Sequence, residues 1–233
     1  MITIYTITYN EELLIQFMID HYRERFQDCR IVIYDNISTD NTVKIALANR
    51  CEVIPYDTNG QLQDSRYLEI KNNCWKDAKT DWVLVSDLDE LVDINEAELK
   101  TEEHNGTSMI RCDFYDMVNM EDNLDIAGMK YGVKGDVPGK FFLFNKKCIS
   151  EINYGPGAHV CNPIGTIRYS CKVYRGYHYA SINENVTIEK FKIYRARLSP
   201  ENIKNGWGTQ YFMTPEKIRE EYADLRSQTI KVR

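Results

Sequence analysis

Residues 82–90, WVLVSDLDE, are the part of the sequence that says most about its fold. The apolar run at 82–85 predicts a short buried strand that ends near Asp87. A second carboxylate, Asp89, follows after one apolar residue, Leu88, which we expect to point into the core. Acidic triplets are common on protein surfaces, but this one directly follows a buried strand. We therefore expect both carboxylates at the mouth of a sheet, where they could hold a hard divalent cation.

Strand-like and helix-like segments alternate through the first ninety residues. The predicted strands are 2–9, 30–34, 52–55 and 82–85. The predicted helices are about 10–22, 42–49 and 65–78, with Asn10 capping the first and Ser38, Thr39 or Asp40 the second. This order implies parallel strands joined by right-handed crossovers. We therefore predict an α/β fold with a mostly parallel central sheet flanked by helices, which binds its ligand beyond the carboxyl ends of the strands.

The pattern is looser after about residue 99. Strands are predicted at 109–114, at 141–144 and within 166–179, and helices at 186–198 and from Thr214 onward. The polar stretch 117–139 has the composition of a mobile loop, which we expect to become ordered over the sheet when a ligand binds. The sequence contains no repeat or linker, so we predict one domain over residues 1–233.

The composition limits the possible classes of protein. The 233 residues are 43% hydrophobic and 27% charged, which suits one soluble core and excludes a disordered or fibrous chain. The 29 lysines and arginines against 35 acidic residues give a net charge of −6, so neither nucleic acid nor an anionic membrane is an expected partner. No apolar run approaches the ~20 residues of a membrane span, so we predict no transmembrane segment.

The cellular compartment is predicted from the N-terminus and the cysteines. Residues 1–9 lack the basic region and cleavage site of a secretory signal peptide. The seven scattered cysteines contain no CxxC pair, which favours free thiols in a reducing compartment. We therefore expect a cytoplasmic protein.

The glycine motifs of two common nucleotide-binding sites are missing. The sequence contains neither GxGxxG nor GxxxxGK[ST]. A Rossmann dinucleotide site and a P-loop are therefore not expected, although carboxylates suited to a metal–diphosphate site are present.

Three stretches in order carry a family resemblance: 6–12 (TITYNEE), 34–42 (YDNISTDNT) and 81–90 (DWVLVSDLDE). They resemble the first turn, the second turn and the DxD(E) metal motif of GT-A fold glycosyltransferases of the family 2-like group. The resemblance is firm over residues 1 to about 95 and loose beyond. It implies a nucleotide-sugar-binding half, 1–95, followed by an acceptor-side half with C-terminal helices, 96–233. The implied reaction is a hexosyltransferase-type transfer of a sugar from a nucleotide sugar, expected to be UDP-linked, to a glycan or other hydroxyl acceptor, with Mn²⁺ or Mg²⁺ under the diphosphate.

The resemblance also implies site residues. The expected contacts to the nucleotide sugar are Thr8, Asn10, Asp35, Asn36, Gln63, Arg66 and Asp87. Asn36 stands where many relatives have a second aspartate, and Arg66 is expected either to pair with a phosphate or Asp87, or to be a surface charge. The expected metal ligands are Asp87 and Asp89, with Asp89 binding directly.

A third metal ligand and the catalytic base are expected from the second half. His178 follows a strand-like run and is the candidate ligand, and an imidazole ligand favours manganese. His159, in a glycine-rich loop, is either an alternative ligand, an acceptor contact or a general base. The carboxylates considered as a base are Asp113, Asp116, Asp136 and Glu151, with Asp136 favoured.

Four further residues have simpler or open interpretations. Lys140 either steadies the diphosphate or is a surface lysine, and Trp207 either offers a sugar platform or packs in the core. His21, on the apolar stripe of the first predicted helix, and His104, in a predicted polar loop, are expected to be structural.

Two other functions remain open from the sequence. A nucleotidyltransferase shares the sheet and acidic ligands, but it would carry a glycine-rich, basic first loop, and residues 6–12 have neither feature. A nucleotide- or carbohydrate-binding module without turnover is also compatible with the motifs. Substitution of Asp89 separates these, because only a metal-dependent enzyme should lose donor cleavage.

Overall fold

The structure is a computed structural model that describes residues 1–121, 123–135 and 140–233. The strands in these ranges are β1 (Ile2–Thr8), β2 (Cys29–Asp35), β3 (Glu52–Pro55), β4 (Trp82–Asp87), β5 (Glu90–Asp93), β6 (Met109–Val118), β7 (Tyr131–Lys134), β8 (Leu143–Asn145), β9 (Ile149–Glu151), β10 (Ile164–Gly165), β11 (Tyr169–His178) and β12 (Ile230–Lys231). The α-helices are α1 (Ile15–Arg25), α2 (Thr42–Ala48), α3 (Asp64–Asn73), α4 (Glu96–His104), α5 (Glu184–Arg197), α6 (Pro200–Asn205) and α7 (Pro215–Gln228).

The four strands of the N-terminal half lie side by side and parallel, in the order β4-β1-β2-β3. Helices α1, α2 and α3 are the crossovers between them. The register aligns the strand ends, because Thr8 pairs with Asp35 and Ile7 pairs with Asp87. The predicted α/β fold with a central sheet flanked by helices is confirmed, and the predicted strand ends meet at one edge of it.

Strands of the second half extend this sheet beyond β4. Strand β8 is antiparallel to β4, and β6, β7 and β12 follow outward. Strand β11 lies parallel to β6 and antiparallel to β5, so His178 is opposite both Asp116 and Glu90. The end of β11 is therefore brought directly beside the acidic segment that follows β4.

The core lies along the central strands. All seven residues of β1 are buried, as expected for a parallel strand covered on both faces. Leu88 is also buried in this core, so Asp87 and Asp89 are separated by an inward-pointing side chain as predicted. None of the helices in the described ranges is long and apolar enough to cross a membrane.

Two local predictions are wrong. Asn10 does not cap α1, whose N-cap is Leu14. Instead, Asn10 Oδ1 accepts a hydrogen bond from Thr39 N, which ties the first turn to the second. Within the described residues, the stretch 117–139 is not one loop, because 117–118 belong to β6 and 131–134 form β7, which pairs antiparallel with β6. Its polar composition concealed this pairing, since a strand near a sheet edge needs few apolar residues.

Candidate functional site

A cavity of about 350 Å³ opens at the carboxyl ends of β1 and β4. Five of the predicted site residues line it: Thr8, Asp87, Asp89, His159 and His178. Helix α5 and the loop around His159, both from the second half of the chain, also line this cavity. The volume lies in the range of ~300–1,000 Å³ that is usual for small-molecule sites.

Asp87, at the end of β4, is held by a lysine that sequence reasoning missed. Lys71, on α3, is buried and donates from Nζ to Asp87 Oδ2 at 2.8 Å. Burial alone would lower the pKa of Lys71, but Asp87 and Glu90 raise it above its ordinary value, so the lysine stays charged. Asp87 is not paired with Arg66, which was one of the alternatives expected for that arginine.

The two residues predicted from this segment lie elsewhere. Arg66 forms an ion pair with Glu69, one turn along the same helix. Gln63 donates from Nε2 to Gln61 Oε1 at 3.2 Å. Neither residue lines the cavity, among the positions that the structure describes.

Asp89 is paired with a lysine from α5. Lys190 Nζ lies 3.1 Å from Asp89 Oδ2 and 2.7 Å from Glu11 Oε1. Tyr194, one turn further along α5, donates its hydroxyl to Glu11 Oε1 at 3.1 Å. Burial would raise the pKa of Asp89, but Lys190 and then His178 outweigh it and hold that pKa below its ordinary value.

His178 belongs to a row of polar side chains across three strands. Its Nδ1 lies 2.7 Å from Asp116 Oδ1, which leaves Nε2 as the nitrogen available to a ligand. Burial would lower the pKa of His178, but the hydrogen bond to Asp116 and the charges of Asp89 and Glu90 raise it overall. Only a neutral imidazole ligates a metal, so a proton on His178 would compete with an ion for this side chain.

Glu90 and Lys140 form a buried ion pair beside this row. Both line the cavity, and one oxygen of Glu90 has no hydrogen-bond partner within the described ranges. The interpretation of Lys140 as a surface lysine is therefore wrong.

His159 also lines the cavity, after a glycine-rich turn. A Cβ atom on Gly157, whose φ is +67°, would come within 2.5 Å of the imidazole, so glycine is needed for the ring to fold back over the turn. Burial and the nearby charges of Lys140 and Lys71 lower the pKa of His159. His159 is consequently neutral at neutral pH and able to accept a proton.

The carboxylates considered as a base are now separated by position. Asp136, which was favoured, lies outside the described residues. Asp113 and Glu151 form ion pairs with Lys134 and Lys76. Asp116 is the partner of His178.

The second-turn residues Asp35 and Asn36 are not among the described residues that line the cavity. Asp35 and Asn36 are both buried. Asp35 Oδ2 accepts from Ser38 N at 2.9 Å, and Asn36 Nδ2 donates to Thr58 Oγ1 at 3.0 Å. The other oxygen of Asp35 is buried without a hydrogen-bond partner in the described part of the chain, as is Thr8 Oγ1. Together with Asn10, these residues form the predicted pair of turns, but only Thr8 reaches the cavity.

Aromatic residues of the second half complete the site. Tyr194 and Tyr211 line the cavity with their rings edge to face, 5.1 Å between centroids, whereas Trp207 lies in the turn after α6 and off the described lining. The guanidinium carbon of Arg197 lies 3.1 Å from the ring centroid of Tyr9, and its Nη2 donates to Asn36. Sequence reasoning missed these contacts because each joins residues that are far apart in the chain.

The charges of the cavity fit a divalent cation. Five carboxylates line it, from Glu11, Asp64, Asp87, Asp89 and Glu90. Three lysines face them, so the lining carries a formal excess of two negative charges when the histidines are neutral. No group of three or more His, Cys, Asp or Glu side chains within the described ranges is arranged to hold a metal by itself. The donor set therefore suits a hard ion shared between one or two carboxylates and the phosphate oxygens of a ligand.

Three of the many solved structures that are similar to this chain share 16–20% of its sequence. The S. aureus TarS 1-349 structure is 16% identical, with a TM-score of 0.48 over 84% of this chain and 64% of that chain. Mannosyltransferase PcManGT from Pyrobaculum calidifontis, in complex with GDP-Man and Mn²⁺, is 20% identical, with a TM-score of 0.36. That match covers 48% of this chain and 34% of the mannosyltransferase chain. Glucosyl-3-phosphoglycerate synthase from Mycobacterium tuberculosis, in complex with Mn²⁺, UDP and glucosyl-3-phosphoglycerate, is 17% identical, with a TM-score of 0.35. That match covers 48% of this chain and 43% of the synthase chain. The chain thus spans between 34% and 64% of the length of these proteins.

Sequence comparisons give a family but no curated relative. A search of curated protein sequences finds no match to the chain. The family model described as glycosyl transferase family 2 matches residues 3–123, just over half of the chain. This match covers the parallel strands and the acidic segment after β4, and the chain therefore belongs to glycosyl transferase family 2.

Proposed function

We propose that this protein is a metal-dependent glycosyltransferase that moves a sugar from a UDP-linked donor to a hydroxyl group of a glycan or glycoconjugate. The observation that carries the proposal is the position of Asp87 and Asp89 on the wall of a ligand-sized cavity at the carboxyl end of β4. Membership of glycosyl transferase family 2 supports the class of reaction.

Asp87 and Asp89 are the residues proposed to hold Mn²⁺ or Mg²⁺, with His178 as a third ligand. Bound there, the ion would neutralise charge that develops on the departing diphosphate. The formal excess of negative charge on the cavity lining supports this assignment, because a diphosphate alone would be repelled by it.

The chain's own residues have further proposed roles. Lys71, rather than Arg66, is proposed to be the basic residue of α3 that faces the donor, and it holds Asp87 through a hydrogen bond. His159 is proposed to accept the proton of the acceptor hydroxyl, a role supported by its lowered pKa and its place on the cavity wall. Asp136 is the other proposed base.

The nucleotide is proposed to contact the two linked turns. Thr8 and Asp35 each keep a buried oxygen without a partner in the described ranges. This supports Asp35 as the acceptor of a hydrogen bond from the ribose or base, and the Thr8 hydroxyl as a donor or acceptor. Asn10 and Asn36 are proposed to shape this subsite, since both are fixed by hydrogen bonds between the turns and their neighbours.

The chain is proposed to act as one domain, with 1–95 binding the nucleotide sugar and 96–233 facing the acceptor. Residues from both halves line one cavity, which supports this division. A cytoplasmic location is also proposed, and the seven free thiols support a reducing compartment.

A panel of nucleotide sugars with and without Mn²⁺ tests the proposal. The wild type should be stabilised against heat by one UDP-sugar, and more strongly with Mn²⁺, since a ligand stabilises the state that it binds. With that UDP-sugar and Mn²⁺, the wild type should also show metal-dependent cleavage of the donor. Asp89→Ala should lose the metal dependence and the cleavage, whereas Asp20→Ala, an exposed change on α1, should keep both. Retention of full donor binding and metal response by Asp89→Ala would contradict the proposal and favour a metal-free binding module.

A further inference from the structure

The proposed cation site already has a positive group of the chain beside it. Lys190 Nζ lies between Asp89 Oδ2 and Glu11 Oε1, at 3.1 Å and 2.7 Å. The three side chains are only 18%, 15% and 11% exposed in that order, so water screens their charges weakly. The ammonium also lies 5.5 Å from the ring centroid of Tyr194, on the same helix.

Lys190 and a divalent ion cannot use Asp89 independently. The ammonium engages one of the two oxygens of that carboxylate, and two cations on a single carboxylate repel each other in a poorly screened site. An ion that binds Asp89 must therefore displace or weaken the contact with Lys190.

Glu11 gives the lysine a second place to bind. The contact of Lys190 Nζ with Glu11 is shorter than its contact with Asp89. Tyr194 holds the same Glu11 oxygen with a hydrogen bond. Lys190 can thus release Asp89 and remain paired, and a diphosphate in the cavity would offer it a further anionic partner.

We propose that Lys190 is an internal competitor of the divalent cation, which occupies Asp89 in the ligand-free protein and releases it when metal and donor diphosphate bind together. The inference rests on the proposed function and goes beyond it in assigning the residue that couples metal binding to donor binding. The free protein binds the ion weakly, and the donor tightens it. By linkage, the metal must tighten donor binding by the same factor.

Mn²⁺ affinity, measured from the free-ion signal in electron paramagnetic resonance with and without UDP, tests the proposal. Apparent affinity scales with the fraction of molecules in which Asp89 is free, so a lysine that holds it nine-tenths of the time weakens binding about tenfold. Lys190→Met should therefore bind Mn²⁺ alone about tenfold more tightly than the wild type. It should also show a smaller gain on adding UDP.

Two further variants keep the test decisive. Lys192→Met removes an exposed lysine of the same helix, paired only with Glu189 among the described residues, and should leave Mn²⁺ binding unchanged. Glu11→Gln removes the alternative partner of Lys190 and should weaken Mn²⁺ binding, the opposite sign to Lys190→Met. This variant serves if Lys190→Met does not fold.

The outcomes separate this inference from the proposed function. If the wild type binds Mn²⁺ with UDP, and Asp89→Asn does not, the metal site stands. In that case, unchanged or weaker Mn²⁺ binding by Lys190→Met overturns the competitor role alone. Absence of Mn²⁺ binding in the wild type and in Lys190→Met, with and without UDP, overturns both.

Discussion

Replacing Lys140 by methionine should lower the free energy of unfolding, because it breaks the buried ion pair between Lys140 and Glu90 on the cavity wall. The side chains of Lys140 and Glu90 are 6% and 4% exposed, and Lys140 Nζ lies 5.4 Å and 5.5 Å from the ring centroids of Phe114 and Phe142. Methionine keeps most of the volume of the lysine stem but leaves Glu90 as an unpaired buried carboxyl. Breaking a buried pair from one side costs about 3–5 kcal/mol.

The cost should depend on pH in a defined direction. Burial raises the pKa of Glu90 even with Lys140 nearby, so without the lysine the folded state should hold the Glu90 proton more tightly than the unfolded state does. Above the unfolded pKa of about 4.3, the unfolded state binds fewer protons. The free energy of unfolding of Lys140→Met should then fall by up to about 1.4 kcal/mol per pH unit as pH rises, until the folded pKa is reached.

Urea denaturation at pH 5 and pH 7 provides the measurement, with Glu90→Gln and the double variant completing the cycle. Lys140→Met should lose about 3 kcal/mol at pH 7 and less at pH 5. The double variant, which buries no charge at this pair, should recover most of that loss. A loss below about 1 kcal/mol at pH 7, or a double variant no more stable than the sum of the single changes predicts, would refute the reasoning.

Two other predictions concern stability. Burial lowers the pKa of His21 to about 4. Between that value and the unfolded pKa of about 6.5, the folded state binds fewer protons than the unfolded state. The free energy of unfolding should therefore fall by roughly 3 kcal/mol as pH falls through this window. His21→Gln should flatten this pH dependence in urea denaturation at pH 4.5 and pH 7, whereas the exposed His104→Gln should not, and equal slopes for both variants would contradict the assignment. Gly165 has a φ of +144°, and a Cβ there would lie 2.0 Å from the carbonyl oxygen of Cys148. At Gly60, by contrast, a Cβ would meet no neighbour within 4 Å. Gly165→Ala should therefore lower the free energy of unfolding by more than the ~1 kcal/mol expected of Gly60→Ala. Thermal unfolding of both glycine variants measures the difference, and equal losses would show that the contact with Cys148 relaxes freely.

The N-terminal half was predictable because its signals are local. Apolar runs, crossover helices and polar strand ends all lie within a few residues of one another, and together they placed Thr8, Asp35 and Asp87 at one edge of the sheet. Parallel pairing then followed from the order of the elements.

The omission of Lys71 from the expected site residues shows where local reasoning was insufficient. Arg66 and Lys71 both lie on α3, but five positions along a helix turn the side chain by about 140°, so only one of them can face Asp87. The sequence indicated a segment that reaches the cavity, but not the rotation of its helix.

The second half required contacts across long stretches of chain. Lys190 lies 101 residues from Asp89, and Lys140 lies 50 residues from Glu90, so neither partner could be identified from spacing. Strand β11, which carries His178 to the site, pairs with β5 and β6 in two different directions. No periodicity within a single segment indicates such an arrangement.

The central claim is that Asp87 and Asp89 hold a divalent ion under the diphosphate of a nucleotide sugar. Anomalous diffraction from crystals grown with Mn²⁺ and UDP measures this most directly. We expect one Mn²⁺ peak in direct contact with Asp89 and with a phosphate oxygen, with Lys190 moved away from that carboxylate. A bound UDP with no Mn²⁺ peak at Asp87 or Asp89, and with Lys190 still on Asp89, would contradict this claim.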